Sequence, residues 1–352
     1  MSASAGTKEV HMEKTKELLR AVCQIPAVSG QEHRALNEFK ELCSPYFDKI
    51  EKDAVGNIIM FKSCGKEGAK KLLIDAHLDT IGLMVSGHNT DCGTVSVVSL
   101  GGFDARTLPS SEVIIYGSEV VYGVIGSTPP HLSKGNSIPE ISSIMIDVGV
   151  KGDELCELVP IGSFVFVKGD FCEINNGYVL SSGLDDRACL CSAILSVANA
   201  PFLEYDVYVV ASASEEIGRS AIRTAVFNIE PDYVISTDVG FGTEPDLDKR
   251  YCIDCKSGPA VDISALTNRD FSRAIIALAK EKGIPCQVVV EPMGTGTNND
   301  IISVTGKGCI NALLSLPLKA MHTSCESVNL ADVKHLADLL TAVITSREDK
   351  LC

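Results

Sequence analysis

The spacing of apolar residues changes twice along the chain. Up to residue 76, it predicts amphipathic helices over 15–23 and 33–43, then short strands over 57–61 and 71–76. From about residue 80 to 175, Val/Ile-rich runs (95–100, 113–116, 120–125, 141–148 and 163–168) alternate with Gly, Pro, Asp and Ser turns. No segment in that block reads as helix, which predicts a β-rich sandwich or barrel. After Gly183 the alternation of α and β resumes. Helices are predicted over 185–198, 219–227, 269–282, 298–304 and 330–346, with strands over 207–211, 233–237, 286–290 and 310–316. The expected fold class is α/β. A mostly parallel sheet with helices on both faces (1–79 and 176–352) is interrupted by an inserted all-β, barrel-like domain (80–175).

Composition narrows the classes. The 352 residues are 45% hydrophobic and 22% charged, with mean hydropathy +0.18, so a large core is available and wholesale disorder is excluded. A net charge of −15 disfavours nucleic acid as a partner. Fourteen cysteines are scattered through core-like segments, and the N-terminus lacks an apolar signal core. No apolar run approaches the roughly 20 residues that span a bilayer. The expectation is a cytoplasmic protein with reduced thiols and no membrane association.

The chemistry lies at strand ends. The predicted strand 71–76 leads into His77-Leu78-Asp79, and strand 207–211 leads towards Glu215-Glu216. Asp238 follows strand 233–237, and His322 comes a short loop after 310–316. Sites in open parallel sheets form beyond the carboxyl ends of the strands. Asp185, opening a helix after a Gly-containing turn, completes a set of two imidazoles and several carboxylates suited to divalent zinc, cobalt or manganese. Each member alone has a plainer explanation. Asp185-Asp186 reads as an N-cap, Glu215-Glu216 as a solvated helix start, Asp238 as a turn residue and His322 as an ordinary polar side chain. The set carries the inference.

The segments AHLDTIGLMV, GLDDRACLCSAI, ASASEEIGRSAIRTA, STDVG and the HTSCE beginning at His322 resemble, in order, motifs of the dinuclear metallo-aminopeptidases that include the tetrahedral (TET) and glutamyl aminopeptidases. GGFDARTLP, YGVIGSTPPHL and IMIDVG resemble stretches of that family's β-rich domain. The resemblance implies two divalent metal ions per subunit, zinc first, with cobalt or manganese as alternatives. His77, Asp185 and Asp238 would hold one, and Asp185, Glu216 and His322 the other, with Asp185 bridging. Asp79 would clamp the His77 imidazole, and Glu215 would be the general base that activates water. The implied activity is hydrolysis of N-terminal residues from short peptides. The implied assembly is a homo-oligomer, a dimer or a dodecamer, formed through the inserted domain.

The sequence departs from the family pattern at three places. Thr80 stands where an acidic residue usually follows His-x-Asp, Lys319-Ala320-Met321 leads into the last His, and Asn298 replaces a common Asp. Cys252-x-x-Cys255 without a second pair, the Gly294–Asp300 loop without Lys-Ser/Thr, and His131 in a Pro-rich loop carry no separate signal. Rival readings are a deacylase or carboxypeptidase on a similar centre, or a catalytically silent homologue. A glycosidase is disfavoured, because adjacent Glu215 and Glu216 cannot flank a sugar bond at the roughly 5–9 Å needed.

Overall fold

The structure is a computed structural model and describes residues 2–129, 131, 138, 140–245 and 247–351, with side chains from residue 12 onward. Pro130, within the YGVIGSTPPHL stretch, lies outside them, as does the His11 side chain. The chain forms an 11-stranded sheet packed with helices, and a separate closed barrel of six strands.

At the centre of the large sheet, strands Asp206–Ser212, Lys71–His77, Tyr233–Phe241 and Ile310–Lys319 run parallel. Alternate residues of these strands enter different cores. Leu72, Ile74, Val209 and Ile235 join one cluster, while Leu73, Val210 and Val234 join another with Ile222, Val226 and Ile302. Helices thus cover both faces. The flanks differ from expectation: among the described residues four strand pairings are parallel and six antiparallel, so the sheet is mixed rather than mostly parallel. The cause is a set of short strands too brief to show a period in sequence, such as Lys49–Lys52, Tyr178–Ser181 and Glu326–Asn329.

Helix Leu184–Asn199 is buried at every position from Leu184 to Val197. That explains its small and sulfur-bearing composition, because only narrow side chains fit between the sheet and its neighbouring helices. Its hydroxyls are satisfied locally and across the interface: Ser192 Oγ donates to the carbonyls of Ala188 (3.0 Å) and Val333 (2.9 Å).

The barrel strands, Gly82–Asn89, Thr94–Leu100, Met145–Asp147, Val120–Ile125, Glu112–Tyr116 and Phe164–Val167, close by pairing the first with the last. Inward residues at alternate positions, including Leu83, Val85, Val95, Val97, Val113, Ile115 and Val165, make its own core. Gly82 is required where the barrel leaves the sheet, since a Cβ there would stand 2.3 Å from Val28 Cγ1. Contrary to expectation, the described residues of the block include a short helix, Asp153–Leu158, too brief for a helical period to emerge. The predicted strand 141–148 shrinks to Met145–Asp147 after a 3-10 turn.

Candidate metal centre and active site

His77 ends its strand, and Glu215 and Glu216 follow Asp206–Ser212 on a turn tied back to the chain. Asp238 sits inside its strand rather than after it. Its strand continues to Phe241 paired with Ile310–Lys319, but register with Lys71–His77 stops at Ser236. The sheet is therefore open on one side of Asp238. His322 lies three residues beyond Lys319 at φ 61°, and Ser214, Arg219 and Ala320 are also left-handed. Four of the eight described non-glycine residues with positive φ thus lie on the loops that carry the site, where strained backbone is held by its surroundings.

The side chains converge. Asp185 Oδ1 is 3.0 Å from His77 Nε2, and its other oxygen, Oδ2, is 3.4 Å from His322 Nε2. His322 Nε2 is also 3.4 Å from Glu216 Oε2, and His77 Nε2 is 4.0 Å from Asp238 Oδ1. One carboxylate therefore stands between two imidazoles, with a further carboxylate beside each. Two overlapping groups, His77/Asp185/Glu216 and His77/Asp186/Asp238, each bring potential ligand atoms within 4.8 Å of one another. All five ligands expected from sequence come together.

Asp79 behaves differently from expectation. His77 Nδ1 meets the Asp79 backbone carbonyl at 2.9 Å, whereas the carboxylate is 3.6 Å away. That carboxylate instead accepts from Ser29 Oγ (2.5 Å) and from the backbone N–H groups of Glu215 (3.0 Å) and Glu216 (3.2 Å). Asp79 thus orients the ring through its main chain and fixes the Glu215-Glu216 turn through its side chain. Thr80 is buried against Gly183, where a Cβ would come within 2.6 Å of its methyl.

Other residues matter to the geometry but were missed from sequence. The Glu326 carboxylate accepts from the N–H groups of Asp185 (3.1 Å) and His322 (2.9 Å), pinning both flanks of the site. Its place inside HTSCE was the one available signal. Glu32 accepts from Gly30 N–H (3.0 Å) and Ser214 N–H (2.8 Å), and buried Arg187 donates to the Cys23 and Leu78 carbonyls. Neither stands out in sequence, because a single Glu or Arg in a polar stretch has no period or spacing. The chain just after barrel strand Thr94–Leu100 also reaches the site, since a Cβ on Gly102 would lie 3.4 Å from His322 Nδ1.

Electrostatics test whether cations suit this set. Burial pushes the Glu215 carboxyl up to about 7 and that of Glu326 up to about 8, with neighbouring carboxylates adding to both. Burial raises Glu216, Asp186 and Asp238 as well. Burial also opposes the charged form of Asp185, but the His322 and His77 rings outweigh it and hold that carboxyl far down. Glu216 Oε1 and Asp186 Oδ1 are buried without a hydrogen-bond partner. Buried carboxylates at this density need counter-charge, and imidazoles with carboxylates are ligands for divalent transition ions. The residues present fit divalent metal ligation. The site opens on a cavity of about 480 Å³ whose wall includes His77, Asp185, Glu215, Glu216, Asp238 and His322.

The family model for M42 glutamyl aminopeptidase matches residues 56–339. The chain belongs to this M42 family. Lysyl aminopeptidase of Pyrococcus furiosus is 31% identical over 337 residues, covering 93% of this chain and 96% of that protein. Aminopeptidase APDkam598 of Desulfurococcus kamchatkensis superposes with TM-score 0.88 at 27% identity, covering 96% of each chain. The TET1 peptidase of Pyrococcus horikoshii, which assembles into a tetrahedron or a large octahedral shell, superposes with TM-score 0.84 at 30% identity. That match covers 95% of this chain and all of the other. This M42 chain is accordingly an aminopeptidase, a peptide hydrolase.

Proposed function

We propose that the chain removes N-terminal residues from short peptides at a dinuclear centre. His77, Asp185 and Asp238 would hold one cation and Asp185, Glu216 and His322 the other, with zinc the first choice and cobalt or manganese alternatives. The observation that carries this reading is the division of Asp185 between two imidazoles, one oxygen to each. When bound, the two ions would polarise the scissile carbonyl and acidify water. Glu215 borders the same cavity, its side chain 10% exposed, and would take a proton from the attacking water and return it to the leaving amine. Asp79 holds the backbone of that turn, and Arg219 Nε stands 3.9 Å from the Glu215 carboxylate. Glu215→Gln should retain both metals while lowering kcat/KM by about 100- to 10,000-fold. Metal analysis beside a peptidase assay checks this, and a fully active variant would remove Glu215 from the role.

We also propose that residues 80–175 form an inserted unit used for self-association, as a dimer or dodecamer. The strand Cys172–Glu173 already pairs with Tyr178–Ser181 in the large sheet, which favours a second boundary nearer residue 171. Val120, Tyr122 and Val124, all outward on one barrel strand, are 53%, 70% and 44% exposed, an apolar stripe that a partner copy would cover. A cytoplasmic location accords with thirteen described cysteines that are all free thiols. No described helix is long and apolar enough to cross a membrane. Cell fractionation that finds the protein outside the cytoplasm would contradict the location.

A further inference from the structure

The cavity does not end at the metal-side residues. Asp262, on strand Ala260–Ser264, also borders it although the residue is only 3% exposed. One of its carboxylate oxygens accepts from Ser315 Oγ at 2.7 Å, and among the described residues no cation pairs with it. Ser315 lies directly opposite Asp238 in the parallel register. Asp262 itself stands opposite Leu313, two residues from Ser315, so it lies two strands over and two residues along from the carboxylate proposed to hold a cation, ~12 Å between backbones. Glu291, at the end of the adjoining strand Gln287–Glu291, stands opposite Ser264, on the same face as Asp262 and two residues further along. It too borders the cavity and has no ion pair among the described residues.

The cavity wall also carries the apolar side chains of Phe241, Ile253, Val289 and Leu313. Arg219 also borders the cavity, but it lies 3.9 Å from Glu215 and pairs with neither Asp262 nor Glu291. A buried carboxylate with no cation is costly. Burial, with Glu291 adding and Ser315 opposing, pushes the Asp262 carboxyl up to about 7. The fold makes no evident use of that charge, since a neutral acceptor would serve Ser315 equally well.

We propose that Asp262, supported by Glu291, selects a basic N-terminal residue, lysine or arginine, on the peptide substrate. The inference rests on the aminopeptidase reading above. The methylene stem of such a residue packs along Phe241, Ile253, Val289 and Leu313 while its charged head meets the carboxylates. A neutral side chain of the same length leaves Asp262 without its cation, and an acidic one is repelled.

The test compares kcat/KM of the metal-loaded full chain on lysyl, arginyl, norleucyl and glutamyl dipeptides sharing one second residue. Lysine should exceed norleucine, its uncharged counterpart, by about tenfold or more. Asp262→Asn should lower that ratio at least about tenfold, and Glu291→Gln should lower it about threefold. A wild-type ratio near one, a preference for glutamate, or a ratio unmoved by Asp262→Asn overturns the proposal. Calorimetric binding of free lysine against norleucine gives a second readout that needs no turnover. Lysine should bind at least about tenfold more tightly, and equal binding overturns the proposal. Selective lysine binding with no turnover of any dipeptide would overturn the peptidase reading, and with it substrate selection, while showing that the site recognises a basic side chain. If Asp262→Asn does not fold, the wild-type profile and Glu291→Gln decide, and a ratio unmoved by Glu291→Gln counts against it.

Discussion

The barrel and the metal centre are built on opposite principles. In the barrel every local preference agrees: β-branched residues alternate inward and outward, and inward side chains such as Val97 and Ile115 are fully buried in apolar company. At the centre, carboxylates crowd together, four left-handed non-glycine residues hold the loops, and two buried carboxylate oxygens lack partners. A fold built only for stability would avoid such crowding. The contrast locates the cost of function at the sheet's open edge, where bound cations would offset it.

Removing the metals should break the contrast most strongly. Glu215 and Glu326 are raised to about 7 and about 8 in the fold, above the ordinary carboxylate value near 4.5. A carboxyl whose folded pKa is raised contributes stability when protonated and loses it as pH climbs from its unfolded to its folded value. His77 and His322 are also raised, His322 by Asp185 first and His77 by Asp185 and Asp238 against its burial, and they act in the same direction. Asp185, held low, gives stability that is lost only in strong acid, outside this window. Chelated protein should therefore lose thermal stability steadily between pH 5 and 8, while metal-loaded protein should not. Melting curves with and without chelator across that range check this, and parallel curves would deny that the centre needs counter-charge.

The barrel should respond to a different perturbation, and more mildly. Tyr122→Asp, on the exposed stripe, should shift the oligomer towards smaller species by light scattering while leaving metal content as it was. Wild-type protein that is already monomeric would end the self-association proposal.

How far the sequence revealed all this follows from the same contrast. The barrel runs were legible because a two-residue alternation repeats across several strands, and helix Arg269–Lys282 because Asn268 caps it and Gly283 ends it. The cluster of imidazoles and carboxylates was legible as a conjunction near the carboxyl ends of strands, assisted by motifs spread through the chain. The flanking antiparallel strands were not, since Glu326–Asn329 has four residues and too little pattern to read. Nor were the supports: Glu326 and Glu32 act by accepting backbone N–H groups from distant segments, a relation that exists only once the chain has folded. Asp262 was hidden within AVDIS for the same reason, its meaning supplied by Ser315 some fifty residues on.

In the proposed centre Asp185 is shared by two cations. Crystals of zinc-loaded protein measured at the zinc edge test it directly. Two anomalous peaks per chain are expected, one beside His77 and Asp238 and one beside Glu216 and His322, with one Asp185 oxygen facing each. A single peak, or two peaks with Asp185 bound to neither, would contradict it.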